Sequence, residues 1–199
     1  MTLYDVARGI AKMFLPIIYR LKFEGIENIP QDKSFILCSN HISFLDPVFI
    51  VLKIKSQCFF MGKQELFKNR IFGYLFRKLG AFPVNRGKGD TVAVEYAESL
   101  VKDGKIFAIF PEGTRSKTGK LLKLKSGAIV IAARTGGDIL PCVIKKSKGK
   151  FLRKTVTVKY GKLIPNSDLE ITENSTSQIK NANRLLSNTF SDLLEGIYD

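Results

Sequence analysis

The sequence predicts a single α/β domain: a mixed β-sheet flanked by helices, with an amphipathic helix at its N-terminus. Three observations predict it. Short apolar runs of strand length alternate with segments of helical periodicity across most of the 199 residues. The groups able to do chemistry fall just after the ends of predicted strands, where ligands bind in an open α/β sheet. No repeat, low-complexity tract or Gly/Ser linker divides the chain, and its length suits one substantial core.

Leu3–Leu21 opens the chain. Val6, Ile10, Met13, Phe14, Ile17 and Ile18 recur at spacings of three and four, with Arg8, Lys12 and Arg20 for the polar side. This predicts an amphipathic helix, taken with its exit as residues 1–23, ahead of the main domain over 24–199. Such a helix either lies in a membrane interface or packs on the protein's own core. Phe35–Cys38 is a short apolar strand ending at Asn40-His41, and Pro47–Lys53 starts as a helix with Pro at its first turn. Gln57–Met61 is a strand leading into a loop at Lys63. Arg70–Leu79 is a helix stopped by Gly80. Thr91–Lys102 follows Asp90, a good N-cap, and ends near Gly104. Ile106–Phe110 is a buried strand opening into Pro111-Glu112-Gly113. Gly127–Arg134 is a helix closed by Gly136-Gly137, Ile139–Ile144 and Thr155–Tyr160 are strands, and Ser175–Ile197 is the last helix.

Charge is the outlying feature of the composition. The chain is 45% hydrophobic and 25% charged, as globular proteins are, but its net charge is +14. Residues 1–164 hold 30 Lys and Arg against 12 Asp and Glu, a net +18, and residues 165–199 hold 2 against 6, a net −4. A basic body implies an anionic partner: a lipid surface, an acidic carrier or nucleic acid. Two lysine-rich stretches, Arg115 to Lys125 and Lys145 to Lys154, either attract an anionic bilayer or form a solvated face. Nucleic acid lacks support, because the aromatic residues are mostly phenylalanines in apolar runs and no RRM, KH or zinc-finger pattern is present.

Cys38, Cys58 and Cys142 show no CxxC spacing, which fits a reducing cytosol, and Cys38 and Cys142, in apolar runs, read as small core residues. With one histidine they make no zinc site. No stretch reaches the 18 or so apolar residues that span a bilayer. No basic region followed by a clean apolar run marks a signal peptide.

Two segments concentrate the chemistry: Asn40-His41-Ile42-Ser43-Phe44-Leu45-Asp46 and Phe110-Pro111-Glu112-Gly113-Thr114-Arg115-Ser116. His41 is the only histidine, and an unperturbed pKa of about 6.5 suits it to take a proton near neutrality. Five residues on a continuous helix would leave His41 and Asp46 about 140° apart, so they meet only across a turn. Pro47 favours that turn. Asp46 either caps the helix from Pro47 or faces the imidazole, and the two roles can coexist. Glu112 and Arg115 form either a weak surface ion pair or part of an anion site, in which Arg115 forks a phosphate beside Thr114 and the backbone of Gly113.

The two segments together resemble the glycerolipid acyltransferase family, whose signature is N-H-x-x-x-x-D followed about seventy residues later by F-P-E-G-T-R-S. The likeness extends to Gly62-Lys63-Gln64-Glu65-Leu66 with Gly80-Ala81-Phe82-Pro83-Val84-Asn85-Arg86, counted as one block, and to Ile139-Leu140-Pro141-Cys142-Val143-Ile144, so that with the two motifs four blocks follow in the family's order over residues 38–144. The resemblance implies a glycerol-3-phosphate acyltransferase-like fold. It is greatest to members acting on 1-acylglycerol 3-phosphate. It implies transfer of a fatty acyl group from acyl-CoA or acyl-acyl-carrier-protein to a lysophospholipid hydroxyl, with no metal and no bound cofactor. His41 then acts as general base held by Asp46. Arg115, Thr114 and Gly113 bind the acceptor phosphate, Glu112 belongs to the same acceptor site or orients Arg115, and Lys63 and Arg86 are either further phosphate ligands or ordinary solvated charges. Glycerol 3-phosphate or another lysolipid remains an alternative acceptor, and a silent lipid-binding module an alternative to the enzyme. The expected place is the cytoplasmic face of the cell membrane, held peripherally.

Overall fold

A computed structural model describes residues 2–85, 90–147, 153–172 and 175–197. Seven strands form one mixed sheet in the order β1-β7-β6-β2-β5-β3-β4. The strands are β1 (Tyr19–Glu24), β2 (Ile36–Ser39), β3 (Cys58–Lys63), β4 (Ala81–Val84), β5 (Ile106–Ile109), β6 (Ile139–Ser147) and β7 (Lys154–Tyr160). The helices are α1 (Leu3–Ile18), α2 (Asp46–Val51), α3 (Arg70–Lys78), α4 (Thr91–Lys102), α5 (Gly127–Thr135) and α6 (Thr176–Glu195). β6, β2, β5, β3 and β4 run parallel. β7 is antiparallel to β6, and β1 pairs parallel to β7. The expected α/β class and mixed sheet are therefore present.

Alternation along the strands sorts the core into two halves, since successive side chains point to opposite faces. Ile36, Cys38, Phe107, Ile139 and Val143 pack under α4, α5 and α6. Phe35, Leu37, Ala108, Leu140 and Cys142 pack with Leu15 of α1 and Phe49 and Ile50 of α2. Covering both faces of a mostly parallel sheet in this way explains why its central strands are apolar throughout.

Local chemistry sets the element ends. Asp90 caps α4, accepting from the Ala93 N–H at 3.1 Å, and Ser175 caps α6 through the Gln178 N–H at 3.3 Å. Gly80 turns the chain from α3 into β4 at φ +91°, and a Cβ there would lie 2.4 Å from the Cys58 carbonyl oxygen, so only glycine fits.

Two strands were missing from the sequence reading. The helix expected over Leu3–Leu21 stops at Ile18, and the chain turns at once into β1, with Tyr19 extended at φ −123°, ψ 144°. Tyr19, Leu21 and Phe23 alternate with Arg20, Lys22 and Glu24, a period of two that the helical apolar spacing before it concealed. β4 was obscured by Pro83, which is tolerated because β4 is an edge strand.

α1 turns its apolar side outward and one residue of its expected polar side, Arg8, inward. Its inward side is Tyr4, Arg8, Ala11 and Leu15. Tyr4 and Leu15 are buried, and the Arg8 guanidinium donates to the Ile54 and Lys55 carbonyls. The apolar residues expected on one face are together but point away from the protein: Met13 is 61% exposed, Phe14 51% and Ile17 64%. No described helix is long and apolar enough to cross a membrane.

Candidate active site

The parallel strands β2, β3 and β5 deliver the residues after them to one edge of the sheet: His41 after β2, Lys63 at the end of β3 and Glu112 after β5. This is the edge the sequence predicted.

β2 is effectively extended by a side chain. The amide of Asn40, 1% exposed, accepts from the Ile144 N–H at 2.7 Å and donates to the Ile144 carbonyl at 3.0 Å. It takes the place of a ladder pair and leaves the backbone free to turn at His41. Phe44 and Leu45 make that turn, and Asp46 returns as the first residue of α2. Asp46 Oδ2 lies 2.9 Å from His41 Nδ1 and accepts from the Ile42 and Ser43 N–H groups at 2.6 Å each. The carboxylate is fully buried and faces the imidazole. The capping reading fails here, because Asp46 binds amides upstream of α2 and makes no side-chain cap to that helix. Phe110 stacks on the imidazole, with centroids 4.1 Å apart and 17° between planes, so the ring is fixed at its edge and on a face.

The second segment is stitched to the first through backbone. Glu112, 3% exposed, accepts from the His41 N–H at 2.7 Å and from the Leu122 N–H at 3.0 Å. The Ser116 N–H donates to the His41 carbonyl at 2.7 Å. Burial pushes the Glu112 carboxyl above the usual range, and the two amides pull partly the other way. Gly113 stands at φ +69°, its N–H donating to the Phe110 carbonyl at 2.9 Å, and a Cβ there would meet the Lys125 side chain at 2.9 Å. Thr114 and Arg115 are exposed. Among the described residues no ion pair joins Arg115 to Glu112, whose carboxylate is occupied by amides. Arg115 is carried to the site by Ser116, its neighbour.

Lys63 is on the same edge but exposed and paired with Glu65 at 3.0 Å, and no contact joins it to His41 among the described residues. Arg86 lies outside the described residues. The cysteines are all buried and free, and burial pushes their thiols up, Cys58 to about 12, so they are neutral near pH 7 and unsuited to nucleophilic attack. Sequence reasoning gave no role to Asn40, Phe110, Ser116 or Lys146. Lys146, on β6, lies over the Phe49 ring at 5.5 Å. Burial lowers its pKa, and the charge of Asp46 acts against that. Asn40, Phe110 and Ser116 flank the chemistry-bearing residues of both segments, the one signal that marked them.

A family model described as Acyltransferase matches residues 20–145, more than half of the chain and all of the site. The chain belongs to the acyltransferase family. Among similar acyltransferases, the 1-acyl-sn-glycerol-3-phosphate acyltransferase of Streptococcus pneumoniae (strain ATCC BAA-255 / R6) is 32% identical over 174 residues, covering 84% of this chain and 64% of that protein. The enzyme of the same name from Bacillus subtilis (strain 168) is 31% identical, covering 79% of each chain. The crystal structure of the 1-acyl-sn-glycerophosphate (LPA) acyltransferase PlsC from Thermotoga maritima superposes with a TM-score of 0.76 at 26% identity, over 99% of this chain and 81% of that one. The acyltransferase fold inferred from the two motifs is thus the fold of the chain.

Proposed function

We propose that this acyltransferase moves a fatty acyl group from a thioester donor to the free hydroxyl of 1-acylglycerol 3-phosphate, giving phosphatidic acid. One observation supports the reading above the rest: His41 Nδ1 faces the buried Asp46 carboxylate at 2.9 Å, which leaves the opposite nitrogen, Nε2, to receive a proton. An ionised carboxylate only accepts hydrogen bonds, so Nδ1 carries the proton and Nε2 holds the lone pair. As the acceptor hydroxyl attacks the thioester carbonyl, Nε2 takes its proton, and Asp46 stabilises the imidazolium. The new C–O bond forms, the C–S bond breaks, and the departing thiolate regains the proton from Nε2. No covalent acyl-enzyme is involved, in keeping with three neutral, buried thiols.

Arg115 forks the acceptor phosphate, with Thr114 beside it. Lys63 and Arg86 add positive charge for either substrate. Glu112 and Gly113 serve by shaping the turn that carries Arg115 and by holding His41. The donor is acyl-CoA or acyl-acyl-carrier-protein, both anionic and suited to a body of net +18. The exposed apolar side of α1 supports attachment to the cytoplasmic face of the membrane, where the lysophospholipid acceptor resides.

The test is an acyl-transfer assay with lysophosphatidic acid and glycerol 3-phosphate as matched acceptors and both donors. Phosphatidic acid from lysophosphatidic acid is the expected product. Faster transfer to glycerol 3-phosphate reassigns the acceptor, and no transfer in any pairing by folded protein on lipid vesicles overturns the enzymatic reading.

A further inference from the structure

α3 turns its apolar side outward. Ile71 is 78% exposed, Tyr74 62%, Phe72 56% and Leu75 37%, while Gly73 is the buried residue of the helix. A nine-residue helix packed only for stability would do the reverse. Contiguous exposed apolar side chains of this kind mark a contact surface. The cationic groups around them are ordered as well. Residues 63–78 hold five Lys and Arg against one Glu, and Arg77 and Lys78 lie against the rings of Phe67 and Tyr74 at 5.1 and 5.5 Å. Basic side chains bordering an exposed apolar side suit a surface that is anionic above and apolar below.

The position of α3 fits the same partner. The right-handed crossover from β3 to β4 sets it on the sheet face that carries α1 and α2. Two consecutive residues at the start of β3 tie both helices down: Gln57 Nε2 donates to the Lys78 carbonyl at 3.3 Å, and the Cys58 N–H donates to Tyr4 Oη at 3.4 Å. The end of α3 and the start of α1 are therefore both tied to the start of β3. At its other end α3 begins on the sheet edge that bears His41.

We infer that α3 is a second membrane-docking element, seated with α1 on an anionic lipid surface. Two contacts fix an orientation where one helix allows rotation about its axis, and α3 is the contact adjoining the edge of the site. The inference extends the proposed peripheral attachment and is separable from it.

The chain contains no tryptophan, so a single one reports without background. Phe72→Trp and, as reference, Phe14→Trp should each show blue-shifted emission on vesicles of equal parts phosphatidylglycerol and phosphatidylcholine, and quenching by lipids brominated in the acyl chain. Ile71→Ser with Phe72→Ser in the otherwise unaltered chain should weaken vesicle binding by about tenfold, with an unchanged circular dichroism spectrum, since both side chains are already exposed. Quenching at position 14 but not at 72 overturns the role of α3 and leaves α1 docked. Quenching at neither position overturns both. A shift at position 72 that needs no vesicles and grows with protein concentration assigns the face to a second copy of the chain, and so overturns the inference.

Discussion

Glu112 holds His41 by its backbone: Glu112 Oε1 accepts the His41 N–H at 2.7 Å. The Ser116 N–H grips the carbonyl of the same residue, so the second motif fixes the peptide groups on both sides of the histidine. Asp46 fixes its ring. The two motifs are therefore one object, and the 63 residues between Asp46 and Phe110 supply strands that bring it together. In this arrangement Glu112 positions His41, and Arg115 is exposed to solvent.

His41→Ala should abolish transfer with little loss of fold. The imidazole is the proposed base, and losing a general base costs about 10²–10⁴-fold. The side chain is 12% exposed and its backbone bonds to Glu112 and Ser116 survive the substitution. Turnover and thermal melting on the same sample check it, and near-normal turnover in folded protein would remove the mechanism.

Asp46→Asn should be nearly as severe in rate. A side-chain carbonyl can still accept from the Ile42 and Ser43 amides, but a neutral amide cannot stabilise imidazolium and favours the wrong tautomer. It also buries an amino group without a ready partner, at about 1–3 kcal/mol, or about 2–4 °C in Tm per kcal/mol for a chain of this size. A rate loss of about 10³-fold or more beside so small a change in Tm separates chemistry from folding.

Glu112→Gln tests the clamp through pH. The folded carboxyl has its pKa raised by burial above 4.5, so the folded state keeps its proton longer than the unfolded chain does. The stability this contributes is complete below about 4.5 and is lost as pH rises through the folded value. Glutamine does not titrate. The Tm of the parent minus that of Glu112→Gln should therefore decline as pH is raised from 4.5 to neutrality. A difference that stays flat or climbs contradicts a burial-dominated carboxyl.

Much of this was legible before any coordinates. Strand-length apolar runs at Phe35–Cys38 and Ile106–Phe110 located β2 and β5 to within a residue, because buried parallel strands must be apolar throughout. The need for a turn between His41 and Asp46 followed from helix geometry alone. Roles that rest on backbone were not legible. Nothing in the letters Asn40, Glu112 and Ser116 says that their partners are the peptide groups of Ile144 and His41, since any residue offers the same N–H and C=O. Edge strands were lost for a related reason: β1 and β4 are half solvated, so their apolar pattern is diluted by Arg20, Lys22 and Pro83.

Arg115→Lys should injure acceptor use more than donor use. Lysine keeps the charge but loses the two parallel N–H groups that match a phosphate. Arg115 is exposed, so its replacement should not move Tm. With lysophosphatidic acid and donor varied in turn, the larger fall should be in acceptor kcat/KM. A damaged donor term with the acceptor term intact would assign Arg115 to the donor's phosphates.

Binding to anionic vesicles should depend on salt and on the outward side of α1 as separate terms. The body's net charge of +18 draws the protein to the surface, and exposed charges are screened within about 10 Å at 0.1 M salt, so raising salt should release much of it. Apolar burial is not screened. Phe14→Ser with Ile17→Ser should therefore weaken binding even at low salt. These side chains are 51% and 64% exposed, and α1 is held to the body by Tyr4, Arg8 and Leu15 on its other side, so its helix should survive the change. Circular dichroism verifies that. Co-sedimentation with anionic and neutral vesicles gives the answer: strong recovery with anionic lipid at low salt, loss on adding salt, and a further loss in the serine variant. Equal recovery in the soluble fraction with both lipids at low salt would assign the basic charge to the donor instead, because a coenzyme or acidic carrier then remains as the anion that a body this basic is built to meet.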